Sequence, residues 1–178
     1  MYPFLRLGLE YRLARRLPPL DLFGTHVSRH TCMPWDIDPW MELNNGRTLT
    51  LFDLGRVPFA RRLGLDVVLR AKGWGMAVAG SSVRYRRRVR AFHRLEMQTR
   101  LIGWDARFLY MEQSLWRQGD CTSHILIRSA VTGPGGIVPP ADLIGALGHA
   151  VESPALPSWA AAWVEADAAR PWPPARTM

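Results

Sequence analysis

Residues 36 to 45 read Asp-Ile-Asp-Pro-Trp-Met-Glu-Leu-Asn-Asn, with three carboxylates and two amides in ten positions. Carboxylates can take a proton from water or attack an electrophilic carbon directly. Asparagines ahead of a helix can cap its unpaired N–H groups. The same residue types also build Pro-containing turns, and for Asp36 the turn-and-cap role is the expected one. Trp35 and Trp40 either line a pocket for an apolar group or pack this loop onto its neighbours. Ser81 and Ser82 are the other hydroxyls of interest, but no Ser-His-Asp arrangement is recognisable around them. His26, His30, His93, His124 and His149 show no metal-ligand spacing, so no metal site is expected.

A second feature is cationic. The chain has 23 Lys plus Arg against 15 Asp plus Glu, a formal net charge of +8, and Lys72 is its sole lysine. Guanidinium groups recognise phosphates, whether of a nucleic acid, a membrane surface or a phosphorylated small molecule. Arg84, Arg86, Arg88 and Arg90 alternate with other residues, so on a strand they would share one face. They either grip an anion, form a solvated face, or pair with Glu96 and Glu112 on neighbouring strands. No basic stretch is interleaved with stacking aromatics in a nucleic-acid motif, and no nucleic-acid partner is expected.

The elements that must carry these residues follow from patterning. Residues 25–33 are rich in β-branched types and read as a strand; 34–45 read as a loop. From Gly46 the period becomes helical, with Leu49, Phe52, Phe59 and Leu63 on one side and Leu51 and Leu54 widening it. Asn44 or Asn45 is the expected N-cap, and Pro58 is expected to end or kink the helix near Val57. Alternation then predicts strands over 76–92, 95–102, 108–116 and 121–132, the last three as a meander, and a short helix over 141–150. One helix on one antiparallel sheet is an α+β architecture.

In this order, Asp36-Ile-Asp38, Asn44-Asn45 and a helix containing Asp53-Leu-Gly-Arg56 resemble the 4-hydroxybenzoyl-CoA thioesterase-like hot-dog proteins. The resemblance is to their long-chain acyl-CoA thioesterase and thioesterase superfamily member six-like branch. Val83-Arg-Tyr-Arg-Arg87 resembles the strand after the helix, and the likeness covers about 25–140. It implies a hot-dog fold, a curled antiparallel sheet wrapped around a long central helix. It further implies hydrolysis of acyl-CoA thioesters, no cofactor, and a homodimer or tetramer; a non-catalytic acyl-thioester or lipid-binding protein is the alternative.

Residue by residue, the resemblance puts Asp38 at the family's catalytic carboxylate, as general base or nucleophile. Backbone N–H groups at the helix start, around Asn45 and Gly46, would polarise the thioester carbonyl, with Asn44 tying down the loop and Asn45 capping the helix. Two positions depart from the pattern: Glu42 stands where the family usually has His, and Thr48 where it has an aromatic. Glu42 changes the charge beside Asp38 and offers a second acid/base. Asp53 is a second candidate carboxylate, because some hot-dog thioesterases carry theirs on the central helix; its plainer role is pairing with Arg56 or Arg47. Trp40 is assigned to the acyl group, and Arg86 and Arg88, with Arg87 nearby, to the phosphates of coenzyme A.

Three regions are expected: an N-terminal amphipathic segment (1–20), the hot-dog domain (21–150) and an Ala/Trp/Pro-rich tail (151–178). The first mixes leucines with Arg6, Arg12, Arg15 and Arg16 and is too interrupted for a secretory signal. It is read either as a basic helix touching anionic lipid or as a helix packed on the domain. Cys32 and Cys121 read as free thiols, and the expected location is the cytoplasm.

Overall fold

The computed structural model describes residues 2–176. Met1, which opens the N-terminal segment, and Thr177 and Met178, which close the tail, lie outside the described residues.

The chain runs α1 (Phe4–Ala14), β1 (His26–Thr31), a 3-10 turn (Pro34–Asp36), α2 (Asn45–Arg62), α3 (Leu65–Lys72), β2 (Gly75–Tyr85), β3 (Arg94–Trp104), β4 (Leu109–Arg117), β5 (Asp120–Gly133), β6 (Gly136–Val138), α4 (Pro140–Ala146) and α5 (Ser158–Ala168). The strands form one antiparallel sheet in the order β1-β3-β4-β5-β2, with β6 folded back on β5. Register shifts at Val78/Gly80, Leu101/Gly103 and Leu115/Trp116 help it curl, because a bulge bends its strand. This is the α+β hot-dog architecture that the resemblance implies.

Alternation decides which side chains enter the core. Leu95, Met97 and Leu101 of β3, Met111 and Leu115 of β4, and Ile125 and Ile127 of β5 point inward. They meet Leu51, Phe52, Leu54 and Phe59 of α2, which together form the main core. The helix can lie this close only because Gly55 faces the sheet. A Cβ there would strike Met97 Sδ and would stand 2.8 Å from Thr99 Oγ1.

Four expectations change. The strand predicted over 76–92 ends at Tyr85. Arg86 N–H and Arg87 N–H both donate to Thr122 O, at 2.8 and 3.2 Å, which closes the ladder with β5. Val89 then turns inward, 5% exposed, and its carbonyl accepts from Leu43 N–H at 2.7 Å. Arg86, Arg88 and Arg90 therefore share no strand face with Arg84; the alternation belonged to an arc pinned by one buried valine. Pro58 does not end α2 at Val57: the helix runs on to Arg62, and Pro58 and Phe59 are both buried in its packed face. Glu112 pairs with Arg100 and His124, not with the arginines of this arc. The patterning also missed α3 and α5.

Helix α5 belongs to the segment read as a tail, and it covers the convex face of the sheet. Ala160, fully buried, packs on Ile102, Tyr110 and Leu126. Arg128 of β5 donates to Asp167 at 2.6 Å and lies over the rings of Phe108 and Trp163, at 4.8 and 5.2 Å. Helix α1 packs against α2. Both cysteines are free thiols, Cys32 buried and Cys121 half-buried.

Candidate active site

The loop between β1 and α2 is built from the inside out. Asp36 is completely buried, and its carboxylate accepts from Arg6 at 2.9 Å, from Arg47 at 2.6 and 3.1 Å, and from Met33 N–H at 3.1 Å. The expected turn-and-cap role is present, but it is joined to a clamp of two guanidinium groups. Such a carboxylate is stable in the interior because both its charge and its lone pairs are matched.

Beyond Asp36, an isolated bridge joins Ile37 to Leu43, so the residues between them form a small projecting turn. Asp38 closes it. Asp38 N–H donates to Glu42 O at 2.8 Å, while Asp38 Oδ1 accepts from Trp40 N–H at 2.9 Å and Glu42 N–H at 3.2 Å. Met41 takes a left-handed conformation, φ 61°, to let the turn close. Asp38 Oδ2 has no partner among the described residues. Glu42 forms an ion pair with Arg88 at 3.0 Å. Trp40 and Trp35 are both exposed, so neither packs the loop down.

Asn44, not Asn45, caps α2: its Oδ1 accepts from Gly46 N–H at 2.9 Å and Arg47 N–H at 3.1 Å. Thr48, at the position expected to be aromatic, is buried and turns its hydroxyl back onto Asn44 O at 3.1 Å. The cap occupies the Gly46 N–H that was expected to face a carbonyl. The Asn45 N–H remains without a partner among the described residues, at the positive end of the helix dipole. Tyr85, at the end of β2, donates to Asn45 O at 3.3 Å and so holds the helix start against that strand.

From there a cleft of about 210 Å³ runs between α2 and the sheet, walled by Leu49, Thr50 and Asp53 of α2, Val78 and Ser81 of β2, and Ile127 of β5. Ser81 therefore borders the cleft, whereas Asp38, Trp40, Arg86 and Arg88 stand outside its walls in the single chain. A second cleft of about 310 Å³, walled by Tyr2, Val57, Leu69 and Met76, shares Asp53 and Arg56 with the first. These two residues, with Val78, line both clefts. Asp53 pairs with Arg56, as one expectation had it, and also accepts from the Tyr2 hydroxyl at 2.9 Å. Burial and the Asp53 carboxylate together push the Tyr2 phenol up to about 12.

Arg56 also donates to Gln113 Oε1 at 3.2 Å, and Gln113 Nε2 donates to Phe52 O and Thr99 Oγ1, each at 2.9 Å. Gln113 is fully buried and was not singled out from sequence. The available signal was its type: an amide at an inward position between Met111 and Leu115 must have partners.

The profile of the family described as "Thioesterase-like superfamily" matches residues 32–164.

The chain belongs to the thioesterase-like superfamily.

Thioester hydrolysis is accordingly its general reaction. The Xenopus laevis protein THEM6 is 32% identical over 165 residues, 91% of this chain and 78% of that protein. The Danio rerio protein THEM6 is 30% identical over 118 residues, 66% of this chain and 58% of that protein. Among solved structures, the probable thioesterase YbaW from Escherichia coli superposes with a TM-score of 0.64 at 15% identity, covering 68% of this chain and 96% of that one. That likeness shows the hot-dog fold. Among the described residues no helix is long and apolar enough to cross a membrane.

Proposed function

We propose that the protein hydrolyses acyl-CoA thioesters to the free acid and CoA, using Asp38 as the reacting carboxylate and the N-terminus of α2 to polarise the carbonyl. One observation carries this reading. Two backbone N–H groups hold one oxygen of Asp38 and leave the other open, in the same strap that ends on the open Asn45 N–H. In the general-base form, Asp38 takes a proton from water as the oxygen adds to the carbonyl carbon. The developing oxyanion is met by Asn45 N–H, and collapse expels the CoA thiolate, which recovers the proton. In the nucleophilic form, Asp38 itself adds, CoA leaves, and water hydrolyses the mixed anhydride.

Glu42 enters this scheme already paired with Arg88, so its charge is balanced beside Asp38. Trp40, exposed at the turn, is assigned to the acyl group. Arg86 and Arg88 are assigned to the CoA phosphates, and Asn44 and Gly46 to the cap that fixes the helix start. The assembly we propose is a homodimer. Strand β2 pairs with β5 on one side only and is largely exposed along its length. Pairing it with β2 of a second copy would extend the sheet and satisfy an edge that is otherwise left open.

A second reading has its own support. Asp53, not Asp38, stands in the wall of the cleft, which Thr50 and Ser81 also line. In that reading Asp53 supplies the carboxylate and Asp38 only shapes the turn.

The function is tested by following thiol release from acyl-CoA thioesters of graded chain length and from an aromatic acyl-CoA. Release by the wild-type protein is the expected result. Thermal stabilisation by these thioesters with no release from any of them would replace hydrolysis with non-catalytic acyl-thioester binding.

A further inference from the structure

Helix α1 has two unlike faces. Its inner face is tied down by polar groups from four places along the chain. Tyr2, just ahead of the helix, reaches Asp53; Arg6 reaches Asp36 and also Thr31 O at 2.9 Å; Tyr11 reaches Asp66 at 2.5 Å. Ala14 is buried at the far end. The helix is thus fixed on the domain, as one of the two expectations for this segment held.

The outer face is apolar. Leu5 is 92% exposed, Leu9 58%, Leu13 46% and Leu17 45%, with Phe4 at 72% beside them. The four leucines recur every fourth residue, so they form one stripe along the helix, continued by Leu17 just past its end. Arg12, Arg15 and Arg16 are exposed on the same side, toward the C-terminal half. The one acid between residues 4 and 17, Glu10, is turned inward, 3.5 Å from His30. Every outward charge on this ridge is therefore positive.

The charge pattern selects the occupant. A second copy of the chain docking ridge to ridge would bring arginine against arginine, with no acid on either side to match it. An anionic lipid surface meets both halves of the pattern. Leucines enter the acyl boundary, while arginine stems lie along it and their heads reach the phosphates.

We propose that the outer face of α1 seats this protein on an anionic membrane surface. The attachment is peripheral and reversible, and it is distinct from the proposed hydrolytic site. The test is co-sedimentation of the full chain with phosphatidylcholine vesicles, with and without phosphatidylserine. The wild type should bind only the phosphatidylserine vesicles, and added salt should weaken that binding. Leu5→Ser with Leu9→Ser should lower binding at least about ten-fold. Arg12→Gln with Arg15→Gln and Arg16→Gln should lower it by roughly five-fold per arginine. Both variants change only exposed side chains, so their circular dichroism and melting should match wild type. Equal binding of either variant, or no binding by wild type, would overturn the proposal. So would sedimentation equilibrium showing that the leucine variant splits an oligomer, which would assign the ridge to a second copy.

Discussion

Arg6 meets Asp36 at 2.9 Å across 30 residues of sequence, joining the N-terminal helix to the root of the loop that carries Asp38. Arg47 meets the other oxygen of the same carboxylate from the first turn of α2, at 2.6 Å. Three elements converge on one buried charge. Replacing Asp36 by Ala removes the buried carboxylate that two guanidinium groups share and frees Met33 N–H. A loss of roughly 3 kcal/mol is expected from breaking such a pair one-sidedly. Urea unfolding checks it, and a midpoint within error of wild type would contradict the clamp.

Gly55 sets the distance between α2 and the sheet. Elsewhere in a helix, Gly→Ala is stabilising by up to about 1 kcal/mol. Here the added methyl meets Met97 and Thr99. Gly55→Ala should therefore lower stability by roughly 1–2 kcal/mol net, as overpacking outweighs propensity. A raised melting temperature would show that the helix has room to spare.

His26 and His30 are buried neutral. Burial, reinforced by Arg62 beside His26 and by Arg6 beside His30, lowers each of them to about 4. The unfolded chain holds its imidazoles near the ordinary value, about 6.5, and so binds protons first as pH falls. Their contribution to stability is full above about 6.5 and is lost progressively as pH falls toward about 4. Melting temperatures measured across that window should decline. His26→Gln with His30→Gln should flatten the decline, even where it lowers stability at neutral pH.

The strand–loop–helix–strand order was legible because period-two and helical patterning are local signals. The Asp36–Asn45 motif was legible as a fold marker for the same reason. The clamp on Asp36 was not, because Arg6 lies a whole element away. The arc after Tyr85 looked like a strand because its arginines alternate, and only the burial of Val89 shows otherwise. Helix α5 was hidden by its composition. Its alanines and tryptophans give no clear polar face, its one fully buried residue is an alanine, and its ion pair joins Asp167 to Arg128, 39 residues away. Within the site, sequence placed Asp38 in a loop and the asparagines at a helix start, and the resemblance gave the cap to Asn45. Asn44 takes the cap, which shifts the open donor to Asn45.

Arg86 and Arg88 leave the sheet but stay beside Glu42, through Arg88. If they hold CoA phosphates, Arg86→Gln with Arg88→Gln should raise KM for acyl-CoA about ten-fold, the worth of one charge-assisted hydrogen bond. The same variant should leave KM unchanged for a short thioester that lacks the nucleotide. Unchanged KM for both substrates would remove the arginines from the binding site.

The most direct measurement compares kcat for acyl-CoA hydrolysis in wild type, Asp38→Asn and Asp53→Asn. Asparagine keeps the oxygen that accepts from Trp40 and Glu42, so the turn is retained while the carboxylate is lost. The account predicts a fall in kcat on the order of 10²–10⁴-fold for Asp38→Asn with melting unchanged. Full activity in Asp38→Asn, with loss in Asp53→Asn at retained folding, would contradict it and move the reaction to the cleft wall.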